Sequence, residues 1–526
     1  MSAPVGWDDG AVLLAEVVET SRAVAADPSR TAKVRLMAGL LGRLDAAEAA
    51  PVAAWLGGAT LQRRIGVGGR SLANLPPAAP VPSLTVVGVD AAFTSLAGMT
   101  GPGSQAARAA DLRALFAAAT APEQAWLRAL LLGEVRQGAL DQVVQAGLAE
   151  ATGVKLPVIR RAVMMAGGTP PVAAAALAAG DPASATSALR RFTLEVGRPV
   201  LPMLASSAVD VETAVRQAAG GGGSGGAVVV DSKLDGIRLQ VHRRGGEVSI
   251  VTRSLDDITA RLPEVVEVVA ALPGGDLVLD GEGLVLGPDG RPTAFQDTAS
   301  RTGSTTGGGE RVTPFFFDLL HTQGDDLVDA PLLDRLTRLD EVVPPAFRTR
   351  RTVTDDPDVA RAFTASVLAA GHEGVVVKDP ASRYEAGRRG SGWIKVKPVH
   401  TLDLVVLAVE RGSGRRAGWL SNLHLGARDP HRPGHFVMVG KTFKGMTDEM
   451  LRWQTARFRD LATGEGDAWT VRVRPVQVVE IAVDGIQRST RYPGGVALRF
   501  ARVVRYRDDK TADEADTIDD VTRLGR

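Results

Sequence analysis

The sequence predicts a multidomain chain: an all-α first part, an α+β middle part and a strand-rich last part that fits a small β-barrel. Three observations carry this. Residues 1 to about 195 are rich in alanine and leucine, with apolar positions at helical spacing such as Leu13, Leu14, Val17 and Val18. Strand-like and helical signals then alternate from Gly197 to about Lys397. Beyond that, short β-branched runs dominate, among them Leu404-Val405-Val406-Leu407-Ala408-Val409, Phe436-Val437-Met438-Val439 and Gln477-Val478-Val479-Glu480-Ile481. A chain of 526 residues accommodates about three domains, placed at residues 1–195, 196–398 and 399–526.

In the first part, Trp55-Leu56-Gly57 leading to Arg63-Arg64-Ile65-Gly66 looks like Leu131-Leu132-Gly133 leading to Arg136-Gln137-Gly138, which suggests a duplicated helical unit. In the middle part, Ala227-Val228-Val229-Val230 reads as a buried strand. Ile237-Arg238-Leu239-Gln240-Val241-His242 alternates as a half-buried strand should. Asp235-Gly236 between them is a turn signal, because glycine accepts positive φ. Lys233 therefore stands at the end of a rigid strand, facing whatever lies over the turn; a hairpin with an exposed lysine is the bland alternative. The glycine-rich run 220–226 lacks the G-K-[ST] ending of a phosphate loop and reads as a surface loop, as does 303–310.

Composition narrows the function. The formal net charge of +1 does not announce a nucleic-acid binder, but Arg383, Arg388, Arg389, Lys395, Lys397, Arg411, Arg415 and Arg416 crowd one region. Such a cluster tracks a phosphate backbone or is simply a solvated face. The absence of cysteine excludes disulfides, a thiol nucleophile and thiolate zinc. The first residues show no signal-peptide pattern, and the longest apolar stretch, around Pro171 to Ala179, is too short to span a bilayer. A soluble, cytoplasmic protein without a membrane partner is expected.

Seven segments carry the chemistry, in order: Lys233-Leu234-Asp235-Gly236-Ile237-Arg238; Thr252-Arg253-Ser254-Leu255-Asp256-Asp257; Leu279-Asp280-Gly281-Glu282; Phe315-Phe316-Phe317-Asp318-Leu319-Leu320; Glu373-Gly374-Val375-Val376-Val377-Lys378; Trp393-Ile394-Lys395-Val396-Lys397; and the stretch from Leu498 to Lys510 that contains Arg507. Each alone is weak, but the ordered set resembles the motifs of ATP-dependent DNA ligases, of the larger bacterial type, within the covalent nucleotidyltransferases. Gly440-Lys441-Thr442-Phe443-Lys444-Gly445-Met446-Thr447-Asp448 is similar to the C-terminal domain of those ligases. The helical first part resembles their N-terminal DNA-binding domain, with a helical spacer that never touches DNA as the alternative.

The resemblance implies an adenylation (nucleotidyltransferase) domain in the middle and an OB-fold at the end, closing as a clamp on nicked double-stranded DNA. It implies ATP and Mg²⁺ as cofactors, with Mn²⁺ as a substitute, and Lys233 as the nucleophile that takes AMP. Free lysine titrates near ~10.4, so its attack needs neighbouring cations to favour the neutral amine. Lys395 and Lys397 alternate along a strand-like run and share a face; the resemblance sets that face against the α-phosphate. Glu282 and Glu373 border apolar runs, where a carboxylate is costly unless paired or metal-bound, and hard oxygen ligands suit Mg²⁺. By resemblance Glu282 reads the ribose and helps place the metal, Glu373 is the firmer metal ligand, and Phe317 covers the adenine while Phe316 points inward. Arg238, Arg253 and Arg389 match ribose- or phosphate-side arginines. Asp231 stands where the family usually has glutamate. Arg507 and Lys510 match groups that swing over the triphosphate. Arg499, Arg502, Arg505 and Arg507 cannot all share one strand face. An RNA ligase or capping-type enzyme shares the lysine and the middle motifs, and a non-catalytic DNA binder needs no nucleophile. One site per chain requires no second subunit, so a monomer is expected; a sliding clamp or repair partner has no signature in the sequence.

Overall fold

The computed structural model describes residues 11–62, 65–135, 137, 141–220, 226–303, 310–385, 389–413, 416–467 and 469–524. Parts of both glycine-rich runs, and Arg63, Arg64, Arg136, Arg388 and Arg415, lie outside the described residues.

The first part is helical, from Leu14–Ala26 to Pro182–Arg190. Leu14, Val17 and Val18 are buried as their spacing predicts. The two similar segments close helices Ala46–Leu56 and Ala121–Leu131. Each leads into a glycine at positive φ, Gly58 and Gly133, which only glycine adopts readily. Gln137 joins the two units: its amide donates to the Leu56 carbonyl and accepts from Ser21.

The middle part holds ten strands: β1 (Leu204–Ser207), β2 (Val228–Lys233), β3 (Ile237–Arg244), β4 (Glu247–Val251), β5 (Leu277–Val285), β6 (Val312–Thr322), β7 (Asp325–Asp326), β8 (Arg351–Thr354), β9 (Gly374–Lys378) and β10 (Arg389–Val396). They form two five-stranded sheets, β1-β10-β9-β2-β8 and β4-β3-β5-β6-β7, with every pairing antiparallel except β1 on β10. The bland hairpin reading fails here, because β2 and β3 lie in different sheets. Gly236 sits where the chain crosses between them. Its φ is not among the positive ones; glycine is required because a Cβ would overlap the Gly283 carbonyl oxygen. The predicted alternation of β3 also fails, since Leu239 to Arg243 are all buried. Its second face is covered by the segment that arrives from the helices. Gln240 exchanges two hydrogen bonds with the Val200 backbone, at 2.8 and 2.9 Å, and His242 Nδ1 accepts from Gly197 N–H at 3.1 Å.

The last part holds β11 (His400–Arg411), β12 (Leu420–Arg428), β13 (Phe436–Thr442), β14 (Ala462–Gly466), β15 (Thr470–Val473), β16 (Val478–Val483), β17 (Gly485–Arg488), β18 (Val496–Arg499) and β19 (Arg502–Tyr506). The long β11 serves two partners along one edge, pairing β16 through His400 to Val405 and β15 through Ala408 to Glu410. Seven strands join one sheet in this way, and β17-β18 form a separate ribbon. The strand-rich part is as expected, but backbone pairing among the described residues does not close it into the predicted barrel.

Candidate active site

The apolar run of β2 places Lys233. Val228, Val229 and Val230 are fully buried between β9 and β8, so the strand end is held rigidly. Beside it a cavity of about 790 Å³ opens between the two sheets, lined by Asp231, Lys233, Arg238, Arg253, Glu282, Phe317 and Lys395, together with Lys378 and Trp393. That volume suits a nucleotide-sized ligand.

Lys233 Nζ donates to Glu373 Oε2, and Lys397 Nζ donates to Glu373 Oε1 at 3.2 Å. Glu373 begins the turn into β9, and its backbone N–H donates to the Lys233 carbonyl at 3.1 Å. Burial works against a charged Glu373, yet Lys233 and Lys397 outweigh it and hold the carboxyl below its usual range. Glu282, opposite Arg238 on β5, behaves otherwise. Burial pushes its carboxyl up to about 7, with Arg238 and Lys233 opposing only in part.

Phe317 lines the cavity while Phe316 is buried in the core behind it. Phe317 meets Trp393 edge-on, at 5.9 Å between ring centres. Arg238 lies beneath, its Cζ 4.7 Å from the Phe317 ring centre. Two of its nitrogens are committed to the fully buried Asp280, at 2.5 and 2.6 Å, and Tyr384 donates to the same carboxylate at 2.6 Å. Burial opposes the charged guanidinium, but Asp280 prevails and raises its pKa. In this geometry Arg238 props the aromatic wall more than it offers a free fork.

Asp231 is buried against Lys378, Nζ to Oδ2 at 2.5 Å. This is an ion pair of poor hydrogen-bond geometry, since neither Asp231 oxygen meets hydrogen-bond criteria. Burial raises the Asp231 carboxyl, and Lys378 resists. The ammonium also sits 4.1 Å from the Trp393 ring centre and 4.9 Å from that of Phe317. Lys378 was not singled out from sequence. Its signal was a lysine ending the buried run Val375-Val376-Val377, directly across from Val229.

The C-terminal domain completes the site. Asp484, between β16 and β17, accepts from Lys397 at 2.5 Å and from Arg502 at 3.0 Å. Arg499 at the end of β18 donates to Asp235 at 2.6 Å. Phe500, exposed and at φ 51°, lies 5.9 Å from Lys397 and 5.5 Å from Lys444. No sequence motif marks Asp484, because its partners are far away in the chain. Arg507 and Lys510 are elsewhere: both bind Asp403, at 2.9 and 2.6 Å, and neither lines the cavity. Arg505 pairs with Glu480. Arg499 and Arg502 thus turn to Asp235 and Asp484, while Arg505 and Arg507, two residues apart, both reach Glu480, so the four do not share one face. The Arg389 side chain lies outside the described residues.

As for a metal, no trio of His, Asp or Glu groups forms a ready cage among the described residues. Glu282 and Glu373 flank Lys233 as the oxygen donors, and one or two carboxylates plus substrate phosphates are what Mg²⁺ uses. The half-buried Glu282, pushed up to about 7, is a carboxylate that a cation would return to its charged form.

Comparison with known proteins gives a consistent result. A model of the ATP dependent DNA ligase domain matches residues 202–397, one of the ATP dependent DNA ligase C terminal region matches 416–510, and one of the DNA ligase N terminus matches 67–149. A protein of Kineococcus radiotolerans named probable DNA ligase is 61% identical over 518 residues, covering 98% of this chain and 100% of that one. Another so named, from Nocardioides sp., is 59% identical over 518 residues, covering 98% and 99%. A solved structure called Pmar-Lig_PreS3 shares the fold with a TM-score of 0.59 at 18% identity, over 93% of this chain and 99% of that one. The described residues include no helix long and apolar enough to cross a membrane.

Proposed function

Since the chain belongs to the ATP-dependent DNA ligase family, we propose that it seals 5′-phosphate/3′-hydroxyl nicks in duplex DNA through a covalent Lys233–AMP intermediate. The observation that carries this is Lys233 itself: one amine, fixed at the end of a buried strand, at the wall of a nucleotide-sized cavity and hydrogen-bonded to Glu373. In the first step Nζ bonds to the α-phosphorus of ATP and the bond to pyrophosphate breaks; Glu373 Oε2 orients the amine, whose proton passes to solvent as the bond forms. In the second, the DNA 5′-phosphate oxygen takes the adenylyl group and the lysine amine leaves. In the third, the 3′-hydroxyl attacks the 5′-phosphorus and AMP departs.

Lys395, at the cavity wall, is positioned to neutralise charge developing on the α-phosphate. Phe317 and Trp393 give the base an apolar wall, Asp231 and Lys378 form its polar end, and Arg253 lies on the opposite loop. Glu282 and Glu373 are the groups that would hold Mg²⁺, with Mn²⁺ as substitute; when bound, the ion offsets phosphate charge. Arg507 and Lys510 reach the triphosphate only after the C-terminal domain turns, because here they face Asp403. We place domain limits near residues 195 and 398, with a helical DNA-binding domain, an adenylation domain and an OB-type C-terminal domain in a cytoplasmic monomer. The test follows label from α-labelled ATP into protein and then into a nicked duplex on denaturing gels. Sealing with ATP that is lost in Lys233→Ala supports the reading. Label that reaches protein but seals only RNA, or never reaches protein, defeats it.

A further inference from the structure

The loop 252–257 carries Arg253 into the nucleotide cavity, and it is held in an unusual way. Leu255, at its centre, has φ 64° although it is neither glycine nor asparagine. A branched side chain there is strained and persists only when its surroundings over-determine it. The surroundings are visible. Leu255 is buried, and its Cδ1 lies over the bare side of Gly167, the positive-φ residue that ends helix Leu156–Ala166 of the helical region. A Cβ at Gly167 would stand 3.3 Å from that methyl and 3.1 Å from the Pro199 carbonyl, tight contacts that add to the strain its positive φ already imposes on any other residue.

The loop itself is tied into a compact turn. Leu255 N–H donates to the Thr252 carbonyl at 2.9 Å, Thr252 N–H to the Asp256 carbonyl at 2.9 Å, and Ser254 Oγ to Asp256 Oδ2 at 2.6 Å. Ser254 and Asp256 line two cavities at once: the nucleotide cavity, and a second one of about 710 Å³ walled by Gly58, Gly133 and neighbouring residues of the two similar helical units. The loop is therefore a shared wall, with nucleotide on one side and the helical region on the other.

From this we propose that Leu255 is a positioning residue: seated on Gly167, it holds the loop so that Arg253 faces ATP, and the helical region thereby sets the affinity of the nucleotide site. The inference rests on the function proposed above. A fork-shaped cation mispositioned by an ångström or more loses its charge-assisted bonds, which corresponds to about tenfold in nucleotide affinity.

The experiment uses the full chain with Leu255→Gly, which relieves the backbone while removing the anchor, together with Leu255→Ala and Leu255→Met. Two reactions are measured: formation of enzyme–AMP against ATP concentration, and sealing of a chemically pre-adenylated nick, which bypasses ATP. The expected result is a KM for ATP raised about tenfold in the Gly and Ala variants and restored by Met, with pre-adenylated sealing within about twofold of wild type. An unchanged KM, or equal losses in both reactions, would overturn the proposal. Wild-type protein that forms no enzyme–AMP would instead overturn the proposed function beneath it.

Discussion

Replacing Asp484 with asparagine should speed loading with ATP and slow sealing of a pre-adenylated nick. Asp484 is the carboxylate through which the C-terminal domain takes hold of Lys397, and it bridges that lysine to Arg502. While it does so, Lys397 divides itself between Glu373 and Asp484, and Arg507 and Lys510 stay on Asp403, away from the cavity. Each bridge amounts to about 4 kcal/mol of Coulomb attraction at an effective dielectric of ~20. Desolvation and screening take back most of this, because the Lys397 and Arg502 side chains are 20% and 39% exposed. A net of about 1–2 kcal/mol remains, or roughly a 5- to 30-fold shift from the docked arrangement toward one in which the domain can turn. Rapid-quench measurement of enzyme–AMP formation, beside single-turnover sealing of pre-adenylated DNA, separates the two effects. The difference should shrink at high salt, where partly exposed pairs weaken. If Asp484→Asn changes neither rate, or slows both alike, the exchange of Lys397 between carboxylates is not what couples the domains.

Glu282 gives a pH signature. With its carboxyl raised from 4.5 to about 7 by burial, the nucleotide-free protein keeps full stability below about 4.5 and loses about 3 kcal/mol as pH climbs through about 7; thermal melts from pH 5 to 8 should fall, and Glu282→Gln should flatten them. Asp318 and Arg335 are both fully buried and paired at 2.7 Å in the core, so Asp318→Ala should cost about 3–5 kcal/mol in urea unfolding, and no loss would show that the pair is dispensable. Gly236→Ala should abolish Lys233 adenylation while leaving most of the fold, since the Cβ strikes the Gly283 carbonyl at the crossing between sheets; retained labelling would show that the crossing yields. Lys378→Met should destabilise more alone than together with Asp231→Asn, because only the single change strands a buried carboxylate.

The parts of this protein legible in sequence are those set by local chemistry. Val228 to Val230 announce a buried strand, and the strand period allows the inward Phe316 and cavity-facing Phe317 that the family resemblance implies. What failed depended on partners distant in the chain. Gly236 was assigned a turn conformation, whereas its need for glycine comes from β5, more than forty residues on. The alternation of β3 ignored Gly197 and Val200, which cover its second face. The resemblance makes Arg238 a ribose- or phosphate-side arginine, and only the fold shows its guanidinium committed to Asp280, which Tyr384 also binds. Closure of the last part into a barrel depends on pairings that strand count alone does not specify.

These long-range contacts divide the site into what is fixed and what can be exchanged. Lys233, Phe317, Trp393, Asp231 and Lys378 all stand on strands of the two middle sheets, and their mutual contacts survive any movement of the C-terminal domain. Asp484, Arg499 and Phe500 come from the other side of a domain boundary, and their contacts with Lys397 and Asp235 can be broken without unfolding either domain. The proposed reaction, which binds ATP, releases pyrophosphate and then accepts a far larger DNA, would use such a division. The nucleophile and base-binding walls gain from rigidity, whereas the charges over the phosphates must change between steps. Lys397 sits on the seam, paired with Glu373 of the middle part and with Asp484 of the last part. On the proposed mechanism it is therefore the residue at which a turn of the C-terminal part would alter the electrostatics at Lys233.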